Sequence, residues 1–334
     1  MTASRNIRNI LAASATASLL VLCAAAATAP AAVAADFPQR PLKLVVPFTA
    51  GGAADVMARG MAQRLGEELG QQVIVDNRGG GGGIMASEIV KSAPADGYTL
   101  LFGTMGTHAI NPALHAKLPY DPVKDFAPIS VTHVNPRVLI VGSHLEPKNV
   151  AELVALARSK PGALTYGSAG VGSSGHLSGV LFGSMTGSDL LHVPYRGSAP
   201  LMTDVITGRI DMTFDSFTVY EEHIKSGRVR ALGVTSKDRV GALPDVPTIA
   251  EQGLAGYDVS NWLGVLAPAG TPPAVIKTIH EALGRTMATP ALRKQLIGLG
   301  IEPVFGTPEA FAALLKDDLP RWEEIVGKSG AKTQ

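Results

Sequence analysis

Apolar residues along the chain alternate between short β-branched runs and longer stretches with helical spacing. Residues 42–47 predict a strand and residues 53–69 a helix, and residues 72–76 predict the next strand. The order continues with a helix over residues 84–91 and a strand over residues 98–102. Such βαβ units predict a mainly parallel sheet covered on both faces, with the strand-to-helix loops along one edge.

The same alternation resumes after residue 137. Further strands are predicted over residues 138–141, 164–166, 190–193, 210–214 and 229–235, with helices over residues 150–157, 176–185, 199–207 and 219–225. An irregular stretch over residues 236–260 precedes one more strand over residues 262–267. A mostly helical tail over residues 272–326 follows.

Each half of this pattern carries a glycine-rich turn after a strand, which predicts two similar α/β halves. The tail has no predicted sheet of its own, so we expect it to pack on the first half. We therefore predict a two-domain α/β fold, with domain 1 formed by residues 36–136 plus 259–334 and domain 2 by residues 137–258. The chain would cross between them near residues 135–136 and near Ser260. Two crossings beside a cleft are the layout of a hinge-closing receptor.

The first 35 residues have the features of a secretory signal peptide. Two arginines precede an apolar run over residues 10–27, and small residues follow it. We interpret residues 1–35 as a leader that is cleaved after Ala34 or Ala35. A leader retained as a membrane anchor is the alternative.

Removing this leader changes the composition in two ways. Cys23, the only cysteine, is lost, and Leu22 stands where a lipoprotein signal needs a small residue, so we predict no disulfide and no lipid anchor. The remaining 299 residues hold 27 basic and 28 acidic side chains, a formal net charge of −1. This charge argues against nucleic acid as a partner, and no later apolar stretch is long enough to span a bilayer.

Two glycine-rich turns carry the candidate binding chemistry. Residues 49–52 (Thr-Ala-Gly-Gly) join a strand to a helix without the lysine of a P-loop. Residues 170–175 match G-x-G-x-x-G, but the next strand ends in Pro-Tyr-Arg where a dinucleotide site needs an acidic residue. The second turn is either a tight structural turn or an anion cradle of backbone N–H groups, helped by the hydroxyls of Ser173 and Ser174. We favour the cradle because the first turn offers the same device.

Several polar side chains follow the predicted strands, and each has a structural and a functional interpretation. Asp55 either complements a helix dipole or accepts a hydrogen bond from a ligand. Asp215 either caps a helix or faces the cleft. Thr104 and Thr107 offer neutral hydroxyls, and His176, which opens a helix, is as readily a structural histidine as a ligand contact.

The sequence contains no arrangement typical of an enzyme or a metal site. It has no G-x-S-x-G elbow, no H-E-x-x-H motif and no cysteine outside the leader. We therefore predict no catalytic residue, no metal and no cofactor. An exported α/β hydrolase or isomerase that uses Asp55, His176 or Asp215 is the alternative from another class.

Six stretches in this order and spacing identify a family. They are FPQRPLKLVVPFTAGGAAD at 37–55, DNRGGGGG at 76–83, ADGYTLLFGT at 95–104, YGSAGVGSSGHL at 166–177, HVPYRGSAPLMTDVITGRIDMTFD at 192–215 and ALGVTSKDRVGALPDVPTIAEQG at 231–253. Together they span the mature chain, which resembles the periplasmic solute receptors of tripartite tricarboxylate transporters, the Bug family.

This resemblance implies a type II Venus-flytrap, the two-domain periplasmic-binding-protein fold with a hinge and an interdomain cleft. It implies that the cleft binds a small organic acid and that membrane permease subunits receive it. Receptors of this family grip a carboxylate between two loops, here residues 48–55 and 167–176, through N–H groups, hydroxyls and ordered water. Arginine pairing is usually not the main device. A ligand-sensing subunit of a signalling system is a further alternative.

The resemblance also assigns candidate ligand-binding residues. They are Phe48, Thr49, Ala50, Gly51, Gly52, Asp55, Thr104, Ser168, Gly170, Ser173, Ser174, His176, Tyr195, Gly197 and Asp215. Thr49 and Ala50 stand where many relatives have prolines, and Gly79 stands where many have a proline after the Asn-Arg pair, which leaves the identity of the ligand open. We expect a monomer in the periplasm.

Overall fold

Two separate sheets organise residues 37–331, the part of the chain that the computed structural model describes. From Arg40 onward these residues belong to one compact unit. The predicted leader lies outside the described residues. No helix within the described part combines the length and the apolarity that a membrane span requires.

The strands and helices alternate along most of the chain. The strands are β1 (Leu42–Val46), β2 (Val73–Asn77), β3 (Thr99–Thr104), β4 (Phe126–Val134), β5 (Val138–Gly142), β6 (Thr165–Ser168), β7 (Leu191–Pro194), β8 (Met212–Asp215), β9 (Val229–Val234), β10 (Trp262–Pro268) and β11 (Glu302–Pro303). The helices are α1 (Ala53–Leu69), α2 (Ile84–Lys91), α3 (Asn111–Leu114), α4 (Val150–Ser159), α5 (Ser174–Thr186), α6 (Ser198–Ile206), α7 (Phe217–Lys225), α8 (Pro273–Ala288), α9 (Pro290–Gly298) and α10 (Pro308–Ser329).

Helix α1 illustrates why these elements form where the pattern predicts them. Met57, Met61 and Leu65 are spaced by four residues and are fully buried, so one face of the helix packs on the sheet. Gly70 ends the helix with φ of +65°, a left-handed conformation that glycine adopts without steric cost. The predicted range of α1 is confirmed at both ends.

The first sheet has the order β11-β4-β10-β3-β1-β2, and the second has the order β7-β6-β8-β5-β9. In the first sheet β1 pairs in parallel with β2 and β3, but β10 runs antiparallel to β3 and β4. In the second sheet β6 pairs in parallel with β7 and β8, but β5 runs antiparallel to β8 and β9. The prediction of a mainly parallel sheet is therefore wrong, since both sheets are mixed.

Two elements of the first sheet were not predicted. Strand β4 carries Pro128, Ser130, Thr132 and His133, which interrupt its apolar pattern although most of them are buried. Strand β11 lies in the tail that was expected to lack a sheet, and it pairs with β4. The tail packs on the first half as predicted, and α10 also packs against α5 of the second half.

The chain passes between the sheets at two adjacent places. One passage joins β4 to β5 and the other leads into β10, and the N–H of Asn135 donates to the carbonyl of Asn261 across them, at 2.9 Å. Beside this bond, the N–H of Arg137 donates to Thr235 Oγ1 at 2.9 Å. Hydrogen bonds thus hold the two passages side by side.

Candidate functional site

A cavity of about 670 Å³ lies between the two sheets and contains both predicted glycine-rich loops in its wall. We call residues 47–52 the first loop and residues 169–173 the second loop. The first loop joins β1 to α1, and the second joins β6 to α5. Both loops follow parallel strands, which is where α/β sheets place their binding sites.

The cavity divides the predicted site residues into two groups. Those that line it are Phe48, Thr49, Gly52, Thr104, Gly170, Ser173 and Ser174. Those that do not are Ala50, Gly51, Asp55, Ser168, His176, Tyr195, Gly197 and Asp215. Four of the second group, Gly51, Asp55, Ser168 and His176, shape the loops through hydrogen bonds.

The first loop lines the cavity with Phe48, Thr49 and Gly52. Gly52 precedes α1 without a side-chain cap, so the first N–H groups of the helix have no partner from a cap. Gly51 has φ of +83°, which a residue with a Cβ would adopt only with strain. Phe48 is 39% exposed at the cavity wall. The loop therefore offers dipoles and one aromatic side chain, but no charge.

Asp55, in the first turn of α1, stabilises the conformation of this loop. Its Oδ2 accepts the N–H of Gly51 at 2.9 Å, and Arg59 Nε lies 2.9 Å from Oδ1 and 3.0 Å from Oδ2. Arg59 also donates to Asn77, whose amide in turn donates to the carbonyl of Phe48. The hydrogen bond from Arg59, and then that from Gly51, lowers the pKa of Asp55, so this carboxylate stays ionised near neutral pH.

The second loop is built on serine and histidine side chains. Ser168 Oγ donates to the carbonyl of Gly170 at 3.0 Å and lies 2.7 Å from His192 Nε2. Ser173 caps α5, because its Oγ accepts the N–H of His176 at 3.3 Å. These bonds fix the loop, and they place Ser173 and the next residue at the cavity wall.

His176 is a structural part of this loop. Its Nδ1 accepts the N–H of Gly172 at 3.1 Å, and its ring stacks on His192 with centroids 4.0 Å apart. Burial and the neighbouring His192 lower the pKa of His176 to about 4. The neutral ring is the form that accepts the hydrogen bond, so at neutral pH the loop is intact.

Tyr195 and Asp215 are engaged away from the cavity. Tyr195 Oη donates to Asp204 at 2.7 Å. Asp215, at the end of β8, accepts from Ser198 Oγ at 2.9 Å and from the N–H of Ser216 at 2.8 Å. Thr104 does line the cavity, and its Oγ1 accepts the N–H of Thr107 at 3.1 Å.

Arg137 is the charged lining residue that sequence reasoning missed. Its Nε donates to Ser174 Oγ at 2.8 Å, on the first residue of α5. Burial lowers the pKa of Arg137 and the nearby charge of Asp215 opposes this shift, yet an arginine stays protonated in such a site. A charged residue directly before the fully apolar strand β5, at a predicted crossing, was the signal that could have identified it.

The remaining wall combines neutral polar groups with an apolar surface. The other polar side chains that line it are Thr49, Asn111, His115, Asn135 and Asn261, and the larger apolar ones are Met57, Ile110, Leu114, Val171 and Leu263. No aspartate or glutamate is among the described lining residues, and Arg137 is the one lysine or arginine among them. The described residues also contain no cluster suited to a metal ion. This arrangement favours an anion with an apolar portion.

Known proteins match this chain in sequence and in structure. The sequence model of the family described as "Tripartite tricarboxylate transporter family receptor" matches residues 57–331. Protein BugT of Bordetella pertussis (strain Tohama I) is 35% identical over 90% of this chain and 93% of that protein.

Two solved structures from Rhodopseudomonas palustris are similar along nearly their whole length. Rpa4515 with adipate is 39% identical, with a TM-score of 0.72 over 88% of this chain and 99% of that one. MatC (Rpa3494) with bound malate is 33% identical, with a TM-score of 0.68 over 87% of this chain and 100% of that one.

These matches confirm the predicted fold class, a two-domain periplasmic-binding-protein fold of two α/β sheets. They also confirm that the protein is not an enzyme, because the family consists of substrate-binding receptors. The chain belongs to the tripartite tricarboxylate transporter receptor family, as a Bug-type solute-binding protein.

Proposed function

We propose that this receptor works in the periplasm, where it captures a small organic carboxylate in the cleft and delivers it to the permease subunits of a tripartite transporter. The observation that carries the proposal is the composition of the cavity, which holds one guanidinium and two loops rich in N–H groups but no carboxylate among its described lining residues. An anion is the ligand that such a site stabilises. The adipate and malate bound by two related receptors are in accord with it.

We infer a hinge at the two passages between the sheets, which lie side by side. We place domain 1 at residues 36–136 plus 259–334 and domain 2 at residues 137–258. Closure would bring the first loop toward the second loop and exclude water from the ligand. Because α10 contacts both halves, we expect closure by a modest rotation about the passages.

The candidate site residues divide by role in this proposal. Thr49, Gly52, Ser173 and Ser174 contact the ligand directly, together with Phe48, Thr104 and Gly170, since all of these line the cavity. Asp55, His176 and Ser168 hold the loops in shape through the hydrogen bonds described above.

For export, cleavage after Ala34 or Ala35 would release a monomeric receptor from its leader.

A thermal-shift screen tests the function. A ligand that binds only the folded protein, at 100 times its dissociation constant, adds about 2.7 kcal/mol to the free energy of unfolding. We expect Tm to rise by several degrees with at least one mono-, di- or tricarboxylate and to stay constant with the neutral alcohols of the same carbon skeletons. A screen in which only sugars, polyamines or nucleotides raise Tm would contradict the proposal. Native mass spectrometry of the purified protein would identify a ligand that co-purifies.

A further inference from the structure

Arg137 is held at the junction of the two halves, in contact with both the hinge and the cleft. Its N–H donates to Thr235 Oγ1 and its carbonyl accepts the N–H of Thr235, both at 2.9 Å. Its Nε donates to Ser174 Oγ at 2.8 Å, and both residues line the cavity. The bonds to Thr235 fix the backbone of Arg137, and the bond to Ser174 fixes its guanidinium beside the first turn of α5.

The charge of this guanidinium is not neutralised at close range. Arg59, in contrast, meets the carboxylate of Asp55 at 2.9 Å. Arg137 forms no ion pair with any of the described residues, and Asp215 acts on it only from beyond ion-pair distance. Asp215 is engaged elsewhere, through Ser198 and its own helix start. A partly buried cation without a counter-charge is costly, and an anionic ligand would offset this cost.

Part of the cavity wall is apolar, beside the neutral polar side chains named above. Met57, Ile110 and Leu263, which belong to the first half, are buried at this wall, and Leu114 lies beside them. Val171 of the second loop is 62% exposed. A ligand with an apolar body would cover this surface, whereas the hydroxyl groups of a short hydroxy acid would lose hydrogen bonds to water there.

We propose that Arg137 determines the specificity of the cleft by pairing with one carboxylate of a ligand whose body is apolar, an aliphatic or aromatic acid and not a short hydroxy acid. The proposal rests on the carboxylate-binding function proposed above and deepens it. Ser174 orients the guanidinium through Nε, which leaves the two terminal nitrogens to form a bidentate pair with the carboxylate. The N–H groups of the second loop would complete the coordination of the same carboxylate.

Calorimetry on the mature protein tests the ion pair with three probes: hexanoate, its neutral isostere hexanamide, and malate. For the wild type we expect hexanoate to bind at least 10-fold more tightly than hexanamide and more tightly than malate. Arg137→Gln should weaken hexanoate binding by about 10- to 100-fold, the range for a hydrogen bond to a charged group. Arg137→Lys should lie between, because it keeps the charge but loses the planar fork.

Arg196→Gln is the matched control, since it makes the same change at an exposed arginine outside the cavity wall. It should bind hexanoate as the wild type does. Equal binding by Arg137→Gln and the wild type would overturn the ion pair and leave the carboxylate receptor intact. Tighter binding of malate than of hexanoate by the wild type would overturn the apolar body. Failure of the wild type to bind any carboxylate would instead overturn the proposed function itself.

Folding of the variant is checked separately, by Tm without ligand. If Arg137→Gln does not fold, the ratio of hexanoate to hexanamide affinity for the wild type decides, because it needs no substitution. A ratio near one would overturn the ion pair. A ratio above 10 that shrinks in Arg137→Lys, which keeps the charge but loses the planar fork, would support it.

Discussion

The first and second loops use the same local device with different charges. In each loop the third residue of the helix accepts a backbone N–H from four residues before it. Asp55 Oδ2 accepts from Gly51 at 2.9 Å, and His176 Nδ1 accepts from Gly172 at 3.1 Å. The first loop thus rests on a carboxylate, and the second rests on a neutral imidazole.

The difference sets the electrostatics of the cleft. The carboxylate of Asp55 and the guanidinium of Arg59 compensate each other beneath the first loop. No carboxylate of the described residues forms such a contact with the second loop, and Arg137 lies at its serine end. Two loops that look equivalent in sequence therefore differ in charge, and we expect the second to be the stronger site for an anion.

The largest expected effect comes from adding a side chain at Gly175, where the backbone of α5 lies close to β8. A Cβ at Gly175, the second residue of α5, would meet the carbonyl oxygen of Phe214 well inside van der Waals contact. We expect Gly175→Ala to lower the free energy of unfolding by about 3 kcal/mol, at the upper end for overpacking. Urea denaturation measures this.

The equivalent residue of the first loop provides the control. Ala54 is buried at the second position of α1 and already has a Cβ there. Ala54→Gly should cost only about 1 kcal/mol, mostly through helix propensity. Equal losses for the two variants would mean that the helices approach their sheets alike.

A second prediction concerns the charge beneath the first loop. Asp55→Asn removes the negative charge from Arg59 and weakens the acceptor for the N–H of Gly51. We expect a loss of about 2 kcal/mol at pH 7, because hydrogen bonds to charged groups contribute roughly 1.5–3 kcal/mol and Arg59 is half exposed. Urea denaturation at pH 7 checks it, and an unchanged midpoint would show that the carboxylate is dispensable.

The two loops should also respond to different pH ranges. The pKa of His176 is lowered to about 4 from its ordinary value near 6.5, so the unfolded chain binds the proton more readily. The stability that neutral His176 contributes is therefore complete above pH 6.5 and lost as the pH falls toward 4. Between pH 6.5 and 5.5 the expected loss is about 1 kcal/mol. The pKa of Asp55 is lowered as well, so the first loop weakens only below about pH 4.

A local measurement is needed to assign this effect. His108 and His133 are fully buried, and desolvation lowers their pKa values to about 3. The whole protein therefore also loses stability through these two histidines as the pH falls, in the same direction as through His176. An NMR titration of the His176 ring should show a midpoint near pH 4, with His192 also titrating below its ordinary value. A midpoint of His176 near 6.5 would contradict the hydrogen bond from Gly172.

The sequence predicted the loops better than the charge between them. Glycines at the end of an apolar run are a local signal, so residues 49–52 and 170–175 were identified as binding turns. Arg137 carries no motif, and its contact with Ser174 depends on β5 pairing with β8, against which α5 packs, so it joins distant segments. The mixed sheets were missed for the same reason, because strand direction depends on the whole topology.

Strand β4 shows a further limit of the hydrophobic pattern. Its Ser130 is fully buried, and its Oγ donates to the carbonyl of Gly306 at 2.8 Å, more than 170 residues away. A buried polar residue with a distant partner reads as an exposed one in the sequence. The hydrophobic pattern treats polar residues as solvent-exposed, so it did not predict this strand.

The smallest expected effect comes from exchanging the two helix caps. Ser173 caps α5 through its Oγ, whereas Gly52 has no side chain to cap α1 although its φ of −80° and ψ of 169° suit serine. Because serine exceeds glycine as a cap by only a few tenths of a kcal/mol, Ser173→Gly should destabilise and Gly52→Ser should stabilise the free protein by about that amount. The double variant should return the Tm to near that of the wild type, since the sites are on opposite sides of the cleft. Ligand affinity separates the two loops, because Ser173→Gly removes a group that lines the cavity and Gly52→Ser adds a Cβ in ordinary contact with the carbonyl oxygen of Thr49. Weaker carboxylate binding in Ser173→Gly but not in Gly52→Ser would mark the second loop as the anchor of the ligand, and the reverse result would assign that role to the first.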